Sequence, residues 1–402
     1  MKSLFYFFFD GFKHLYKGGP SYYAWVIFLK IVMLVGLYAW YIQIRDGLQV
    51  TGMSDHVSWG FYISNFTFFV GVAAAAVMLV LPAYVLHDSD FSQAVLLGEG
   101  VAVSALIICI GFVGVDVGRP DRLWHMIPFI GNLHFPESML AWDLIVLNGY
   151  LALNSLIPFY ILFCKYRGIK PNNKLYVPFV YLSVFWAVGI HMVTAFLYAG
   201  LTARPYWNSS LLGPRFLASA FAAGPAVIIM VLMVIRNVWK FPIRNVTLDK
   251  LAMIATVAAQ VNLIMLGSEI FKEFYWPTEH SQSAQYLFFG LHGHDALKGW
   301  IWFSIILNII VTGFMMVHPI RKNHRVLPVL CLLLFISIWI EKGLGIIVPG
   351  FIPSPLGEIV EYTPSHIELM VSAGIIALGI FIFTCLSKVA VGIEKGEIKK
   401  SQ

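Results

Sequence analysis

One short stretch of this chain concentrates residues that could exchange protons. Between Val113 and Asp143 the sequence reads VGVDVGRPDRLWHMIPFIGNLHFPESMLAWD, and long apolar segments flank it on both sides. Among its ionisable residues are Asp116, Arg119, Asp121, Arg122, His125 and Asp143. Charged groups at membrane depth are costly and tend to mark functional sites. The stretch therefore indicates an acid–base site at one end of a hydrophobic bundle.

Most of the chain consists of segments that could cross a membrane. Of the 402 residues 59% are hydrophobic and 12% are charged, whereas soluble domains are about 25% charged. A spanning helix needs about 20 apolar residues. Ten segments qualify: 22–44, 59–86, 93–115, 140–163, 175–200, 213–235, 249–271, 297–317, 326–347 and 366–388.

These spans predict an all-α integral membrane protein. Residues 21–402 are expected to form one ten-helix domain in the lipid bilayer, and residues 1–20 an amphipathic segment that lies in the interface. The net charge of +6 reflects the distribution of lysine and arginine between the loops of a membrane protein, so it does not indicate nucleic-acid binding.

Lysine and arginine are unevenly distributed between the loops. Both termini and the loops after even-numbered spans hold most of them, including Lys165, Arg244 and Arg321. By the positive-inside rule both termini are predicted to be cytoplasmic, in a cytoplasmic (inner) membrane. The 113–143 stretch would then open outward. Because the outward loops 116–139, 272–296 and 348–365 are also long, the partner surface is expected on that side.

Further ionisable residues lie within the spans. His191 is expected roughly 13 Å from the outer end of its helix, at 1.5 Å per residue, and Glu269, Glu341 and Lys342 also fall in the outer half. Glu341 and Lys342 are adjacent, so they point about 100° apart and should pair elsewhere. Simpler interpretations remain open: Asp116–Arg119 and Asp121–Arg122 as loop ion pairs, and His191 as a hydrogen-bonded core residue.

No redox cofactor is expected within the chain itself. The four cysteines, Cys109, Cys164, Cys331 and Cys385, form no CxxC spacing, so neither an iron–sulfur cluster nor a metal site is predicted. His191 is the only histidine well inside a span, whereas a b-type haem pair needs facing histidines. A redox role would need electrons from an attached subunit.

Three motifs resemble those of a known family. WGFYISNFTFFVG (59–71), DVGRPDRLWHM (116–126) and FPESMLAWD (135–143) are similar to the NrfD/PsrC family of integral membrane quinone-interacting subunits. The ten-helix length and the segments HMVTAFLYAGLTARPYWNSSLLGPRF (191–216) and PGFIPSPLGEIVEYTPSHIELMVSAG (349–374) resemble its DsrP/HybB branch. The likeness is greatest to DsrP of the DsrMKJOP complex and covers nearly the whole chain.

The resemblance implies both architecture and activity. It implies two four-helix bundles, spans 2–5 (about 56–200) and spans 6–9 (about 213–347), flanked by spans 1 and 10 (about 366–388). It also implies electron exchange between menaquinone or ubiquinone, bound non-covalently in the first bundle, and a periplasmic-side iron–sulfur protein. A DsrMKJOP-like complex would add a multi-haem cytochrome, a haem b membrane subunit and a cytoplasmic iron–sulfur subunit, in dissimilatory sulfur metabolism.

The chain departs from some relatives in span 2. In those relatives a histidine of span 2 faces the quinone, whereas in this chain the same region contains Tyr62, Ser64, Asn65 and Thr67. Tyr62, Asn65 and His191 are therefore the expected partners of the quinone oxygens, and Trp124 is a further cofactor-binding candidate. Asp116, Asp121, His125 and Asp143 are the expected proton carriers, with Arg119 and Arg122 ordering the carboxylates.

Other functions remain open from the sequence. A quinone-linked hydrogenase subunit has the same family pattern. Glu269, Glu341 and Lys342 could carry protons across the second bundle. A small-anion transporter with Arg119 and Arg204 as ligands, or a purely structural anchor for redox subunits, would also fit an oily ten-span chain.

Overall fold

The structure, a computed structural model, describes residues 2–92, 94–127 and 130–399. Ten of its helices are long and apolar enough to span a membrane, as predicted. They are α1 (Pro20–Asp46), α2 (Phe61–Val85), α3 (Val95–Asp116), α4 (Met139–Tyr166), α5 (Asn173–Ala199), α6 (Leu212–Val238), α7 (Asn245–Tyr275), α8 (Lys298–Met316), α9 (Leu327–Phe351) and α10 (His366–Glu394).

Local signals in the sequence begin and end several of these helices. Ser138 precedes α4 and Asn172 precedes α5, and the side chain of each accepts a backbone N–H of the first turn. Ser365 and Glu368 form a reciprocal capping box at the start of α10, which satisfies two otherwise unpaired N–H groups. Gly47, with φ of 82°, ends α1 in a conformation that favours glycine.

Two of the spanning helices are irregular. In α2 a 3₁₀ turn at Ala74–Ala76 interrupts the α-helix, and a π-helical turn over Leu81–Val85 ends it. In α9 the α-helix ends at Lys342, Gly343 adopts ψ of −96°, and a short helix and a 3₁₀ turn complete the span. The break in α9 places Glu341 and Lys342 at the end of a buried helix.

The helices pack in two closed groups. In the first group α2 contacts α3, α3 contacts α4, α4 contacts α5, and α5 returns to α2. In the second group α6, α7, α8 and α9 contact one another in the same cyclic way. The two groups meet where α6 contacts α2 and α5 and where α9 contacts α2. Helix α10 pairs with α1 and also lies against α3.

The loops gather on two opposite faces. We call the side that carries the loops after odd-numbered helices the odd-loop face, and the side that carries both chain ends the even-loop face. On the odd-loop face Arg204 donates to the carbonyl of Phe351 at 3.4 Å. On the even-loop face Lys250 of α7 bonds both Asp88 and Asp90 of the 86–94 loop.

In the described part of the chain, two α-helices outside the spans are longer than a single turn. The N-terminal segment predicted to be amphipathic is helical over Lys2–Leu15 and packs against α4 and α10. It buries Phe7 while most of its other aromatic side chains are exposed. The second short helix, Gln282–Phe289, lies in the loop between α7 and α8.

Candidate functional site

Asp143 is a buried carboxyl group in the second turn of α4. Its side chain is 1% exposed, and its Oδ1 lies 3.0 Å from Oγ1 of Thr194 on α5. The Thr194 hydroxyl also lies 2.8 Å from the carbonyl of Ile190. A hydroxyl has one hydrogen to donate, so Thr194 can donate to an ionised Asp143, or donate to Ile190 while a protonated Asp143 donates to it. The pair therefore accommodates the carboxyl group with or without a proton.

His191 lies one turn before Thr194 on the same face of α5. It is fully buried, and its Nδ1 is 3.0 Å from the carbonyl oxygen of Ala187. A carbonyl oxygen only accepts, so Nδ1 carries a hydrogen, and in the neutral ring Nε2 is left as an acceptor. Among the described residues Nε2 has no partner although it is buried. A buried polar atom without a partner is rare in proteins.

Tyr198, a further turn along α5, connects the site to α2 and to the odd-loop face. Its hydroxyl shares a hydrogen bond with Thr67 of α2. Its ring lies 5.7 Å from Trp59 and 5.6 Å from Trp207. Trp207 is completely buried and donates to the carbonyl of Ile346 beyond the α9 break, at 2.8 Å. These aromatic rings cover the first helix group on its odd-loop side.

A second polar group forms where α1, α2, α3 and α10 meet. The Tyr62 hydroxyl donates to Oε1 of Gln43 at 2.6 Å, and the Gln43 amide donates to the carbonyl of Val115 at 2.6 Å. Next to Val115, Oδ1 of Asp116 is buried without a partner in the described part of the chain. Asp116 therefore lies at the inner end of the 117–138 loop with one oxygen free for a ligand or proton donor.

Glu368 completes this second group from α10. It is fully buried and accepts hydrogen bonds from the Tyr362 hydroxyl at 2.5 Å and from the backbone N–H groups of Gly52 at 2.6 Å and Ser365 at 2.9 Å. Burial raises the pKa of Tyr362, and the carboxylate of Glu368 raises it further. Tyr362 therefore stays protonated and donates to Glu368.

The predicted loop residues are exposed on the odd-loop face. Arg119 donates twice to Asp121, at 3.0 and 2.9 Å, and this bond lowers the pKa of Asp121. The ring of His125 stacks on Trp124, 3.8 Å between centroids. Arg122 is exposed nearby. The loop pair is thus Arg119–Asp121, whereas the sequence suggested Asp116–Arg119 and Asp121–Arg122.

Two of the predicted residues of the second helix group, Glu269 and Glu341, come together around a residue that the sequence did not single out. Arg215 of α6 is buried and bonds Glu269 of α7 and, at 2.8 Å, Oε1 of Glu341 on α9. Asn262 donates to Oε2 of Glu341 at 3.2 Å. Lys342 instead donates to the carbonyl of Phe216 at 3.3 Å and lies 4.6 Å from the centre of its ring. Glu341 and Lys342 thus have separate partners, in agreement with their adjacent positions.

The predicted partners of the quinone oxygens point in different directions. Tyr62 faces Gln43 of α1, whereas the carbonyl oxygen of Asn65 accepts from Trp339 of α9 at 2.9 Å and its amide donates to Phe61. Asn65 is therefore engaged in holding α2 against α9. His191 is the member of this predicted set with a free buried atom.

Several polar residues around the site were not chosen as candidates from the sequence, because their types are common in helices. Thr67, Thr194, Tyr198 and Gln43 are hydroxyl or amide residues whose roles depend on which helix they face. Thr194 and Tyr198 do have a weak sequence signal, since they follow His191 at helical spacing in HMVTAFLY. Within the residues that the structure describes, no three His, Cys, Asp or Glu side chains are grouped so that they could hold a metal ion.

Comparison with known proteins assigns the chain to a family. The profile described as "Polysulphide reductase, NrfD" matches residues 49–352, which is most of the sequence and includes the whole of both helix groups. The chain belongs to the NrfD family. The two helix groups that hold Asp143 and Arg215 are therefore parts of an NrfD membrane domain, and the protein is a multi-pass integral membrane protein.

Curated relatives cover most of the chain at low identity. A putative dimethyl sulfoxide reductase membrane subunit of Halobacterium salinarum is 23% identical over 89% of each chain. A selenate reductase subunit of Mesobacillus selenatarsenatis is 24% identical over 89% of this chain and 91% of its own. The Hdr-like menaquinol oxidoreductase integral membrane subunit of Archaeoglobus fulgidus is 22% identical over 92% of this chain and 94% of its own. This NrfD protein is thus similar to membrane subunits of redox complexes.

Proposed function

We propose that this NrfD protein is the quinone-reactive membrane subunit of a respiratory redox complex. It exchanges electrons and protons between menaquinone or ubiquinone and an iron–sulfur protein docked on the odd-loop face. Family membership supports a membrane role in electron transport, and the name of one relative specifies menaquinol. For this chain the proposal depends on one observation above all, the buried Asp143 that can hold a proton through Thr194.

The residue types of the first helix group fit a quinone headgroup. A quinone site needs an apolar slot and hydrogen-bonding groups for two oxygens. Nε2 of His191 and Oδ1 of Asp116 are buried side-chain atoms that lack a partner among the described residues. In the neutral ring Nε2 would accept a hydrogen bond from a quinol hydroxyl. His191 and Asp116 would hold the headgroup, with Tyr62 and Tyr198 nearby.

The chain's own residues handle the protons. A bound quinol supplies two electrons and two protons. Asp143 receives a proton within the first group, and Thr194 then turns its hydrogen from Asp143 to the carbonyl of Ile190. Asp116 ends α3, and the loop that follows it carries the exposed Asp121 and His125, which would take protons onward. Through these residues protons reach the odd-loop face.

The loops support the place of the partner and the orientation in the membrane. Arg119, Arg122 and Trp124 are exposed on the odd-loop face, which suits docking of another subunit. The lysines and arginines of the even-loop face support a cytoplasmic position for both termini in a cytoplasmic membrane. The likeness to DsrP supports the finer proposal of a DsrMKJOP-like partner set in dissimilatory sulfur metabolism, and a hydrogenase-linked complex is the alternative.

Replacement of Asp143 tests the proposal. Asp143→Asn keeps the size of the side chain but cannot accept a proton. Because a positioned proton carrier contributes about 10²–10⁴-fold to rate, we expect quinol-linked electron transfer by the assembled complex to fall by about 100-fold or more. Assembly, measured as co-purification of the partner subunits, should be unchanged. The binding of quinone by the isolated chain separates a reactive subunit from a purely structural anchor.

Asp249→Asn is the matched control. Asp249 lies near the start of α7 on the even-loop face and bonds His324 at 2.9 Å, so the same chemical change there should leave turnover intact. Turnover at the wild-type rate in Asp143→Asn, with the complex assembled, would rule out the proposed role of this carboxyl group.

A second candidate function is proton translocation coupled to the redox reaction. Arg215 joins Glu269 and Glu341 in a buried ionic group, and Lys342 lies beside it on α9. Titratable groups within a membrane bundle are expensive and are found along proton paths. This arrangement favours a path through the second helix group, separate from the quinone site of the first.

A further inference from the structure

A basic pocket opens on the even-loop face, away from both helix groups' polar interiors. It lies where the N-terminal helix Lys2–Leu15 meets the start of α1 and the end of α10, and its volume is about 410 Å³. Its lining includes His14, Lys17, Tyr22, Trp239, Lys388 and Lys395. The pocket is therefore polar and cationic, unlike most of the surface of this chain.

Lys388 is the buried cation of this pocket. Lys388 is only 8% exposed, and its Nζ donates to the carbonyl of Leu15, at 3.3 Å, and to the carbonyl of Lys17. The same Nζ lies 3.3 Å from the centre of the Tyr22 ring. All three partners are uncharged. None of the salt bridges in the described part of the chain includes Lys388, Lys17 or Lys395.

One carboxylate and one histidine do not cancel this charge. Glu397 is half exposed and lies 3.8 Å from Nε2 of His14. Burial lowers the pKa of His14; Glu397 opposes this shift, whereas Lys388 and Lys17 add to it. The imidazole is therefore neutral near pH 7. Three lysines face one carboxylate, so the pocket suits an anion.

An apolar cavity also lies against the N-terminal helix. Its volume is about 580 Å³, and its lining includes Phe8, Phe12, Leu156, Phe159, Phe383 and Ala390. Two of its polar residues are turned to their own helices, since Asn154 donates to the carbonyl of Tyr150 and Ser387 to that of Phe383. The cavity thus offers hydrocarbon contacts and suits an alkyl chain.

The basic pocket and the apolar cavity are lined by the same two helices. The pocket lies at the depth of a lipid headgroup and the cavity at the depth of its acyl chains. The N-terminal helix and the end of α10 line both of them. The pocket is bordered by Tyr22 at the start of α1 and Trp239 at the end of α6, and such aromatic residues mark the headgroup level of a membrane. The cavity reaches residues further within α3, α4 and α10, at the level of the acyl chains.

We propose that this pair of spaces binds one anionic phospholipid. Its phosphate contacts Lys17 and Lys395, Lys388 adds a buried positive charge beneath it, and one acyl chain occupies the apolar cavity. Lysine binds phosphate as a compact point charge, and basic pockets at the ends of membrane helices recognise anionic headgroups. The lipid would fasten the N-terminal helix to α10.

Native mass spectrometry of the purified full chain tests this site. The chain is titrated with phosphatidylglycerol, phosphatidylcholine or inorganic phosphate. We expect one tightly bound phosphatidylglycerol and weaker binding of phosphatidylcholine. The double variant Lys17→Gln/Lys395→Gln removes two exposed side chains and should weaken phosphatidylglycerol binding roughly thirtyfold. Lys170→Gln/Lys322→Gln, which removes two exposed lysines elsewhere on the same face, should leave binding unchanged.

A cavity-filling variant tests the acyl chain separately. Ser155 lines the apolar cavity, so Ser155→Phe should weaken phosphatidylglycerol binding without a change of charge. Equal affinity for the two lipids, or an equal effect of both double variants, would overturn the proposal. Competition by inorganic phosphate at the concentration of the lipid would instead identify a free-anion site and would also exclude a lipid site.

Discussion

At the scale of single residues, charge balance is most informative in the second helix group. Arg215 is 5% exposed and Glu341 is 2% exposed, and a buried charge without a partner would be strongly destabilising. The buried charge of Arg215 is compensated because its guanidinium group bonds two carboxylates, those of Glu269 and Glu341. The group contains one cation, Arg215, and two anions, Glu269 and Glu341, while Lys342 bonds elsewhere, to the carbonyl of Phe216. Such a group can lose one anion and still keep the remaining Glu269–Arg215 pair.

Glu341→Gln therefore separates proton translocation from a purely structural ionic group. The variant should fold, because Arg215 retains Glu269 and the new amide can still accept from Asn262. If protons cross the second group, redox turnover in sealed vesicles should continue while charge movement and pH change across the membrane are lost. The ratio of protons moved to electrons transferred is the measurement.

The adjacent carboxylate Glu273 provides the control for this experiment. It lies one turn beyond Glu269 on α7 and pairs with Lys272 at 3.3 Å, outside the Arg215 group. Glu273→Gln should leave the proton-to-electron ratio as in the wild type. An unchanged ratio in Glu341→Gln as well would make the Arg215 group structural.

The candidate site could be predicted from the sequence in part. Depth and residue type were enough to single out Asp143, Asp116 and His191, because an ionisable side chain stands out in an apolar span. Thr194 and Arg215 could not be assigned, since their roles depend on contacts between helices far apart in the chain. The loop residues near Asp121 were expected beside the buried acids, but the spacing of residues in the sequence does not show that their side chains are exposed to solvent.

At the scale of elements, hydropathy was sufficient to find every spanning helix but not their irregular ends. The break of α9 at Gly343 leaves carbonyl groups free, and the 200–211 loop uses them: Tyr206 donates to Gly345 at 3.0 Å and Trp207 to Ile346 at 2.8 Å. Backbone inside a membrane must be satisfied by the protein itself. The broken segment is therefore stabilised by a distant loop, and hydrophobic periodicity does not report such contacts.

A close helix crossing gives an element-scale prediction. Gly36 of α1 and Gly374 of α10 face each other, and a Cβ atom added at Gly36 would lie 2.6 Å from the Cα of Gly374. Small residues let membrane helices approach closely. Gly36→Ala should push α1 from α10 and cost about 1–3 kcal/mol, as is typical of overpacking. The midpoint of thermal unfolding in detergent measures the loss.

Gly267→Ala is the matched control on α7. A Cβ atom there would meet nothing within 4 Å, and alanine favours a helix over glycine, so the unfolding midpoint should hold or rise. Equal midpoints for Gly36→Ala and the wild type would mean that α1 and α10 are not held together at this crossing.

At the scale of the whole molecule, the two faces differ in the chemistry of their surfaces. The even-loop face carries the lysine-rich loops and the proposed lipid site, whereas the odd-loop face carries the aromatic cover of Trp59 and Trp207 and the exposed Arg119, Asp121 and Trp124. The proposed quinone site lies beneath the odd-loop face. Orientation therefore decides which compartment receives the protons of quinol oxidation and which side holds the redox partner.

Labelling with a membrane-impermeant maleimide tests the orientation. Leu356 on the odd-loop face is 87% exposed, and Lys322 on the even-loop face is also exposed. Three of the natural cysteines are buried and Cys385 is half-buried, so the unmodified chain gives the background. In intact cells Leu356→Cys should react and Lys322→Cys should react only after the membrane is permeabilised, because the positive loops stay inside. The reverse labelling pattern would show that the Asp116–Asp143 region faces the cytoplasm. The proposed iron–sulfur partner would then have to dock on the cytoplasmic side.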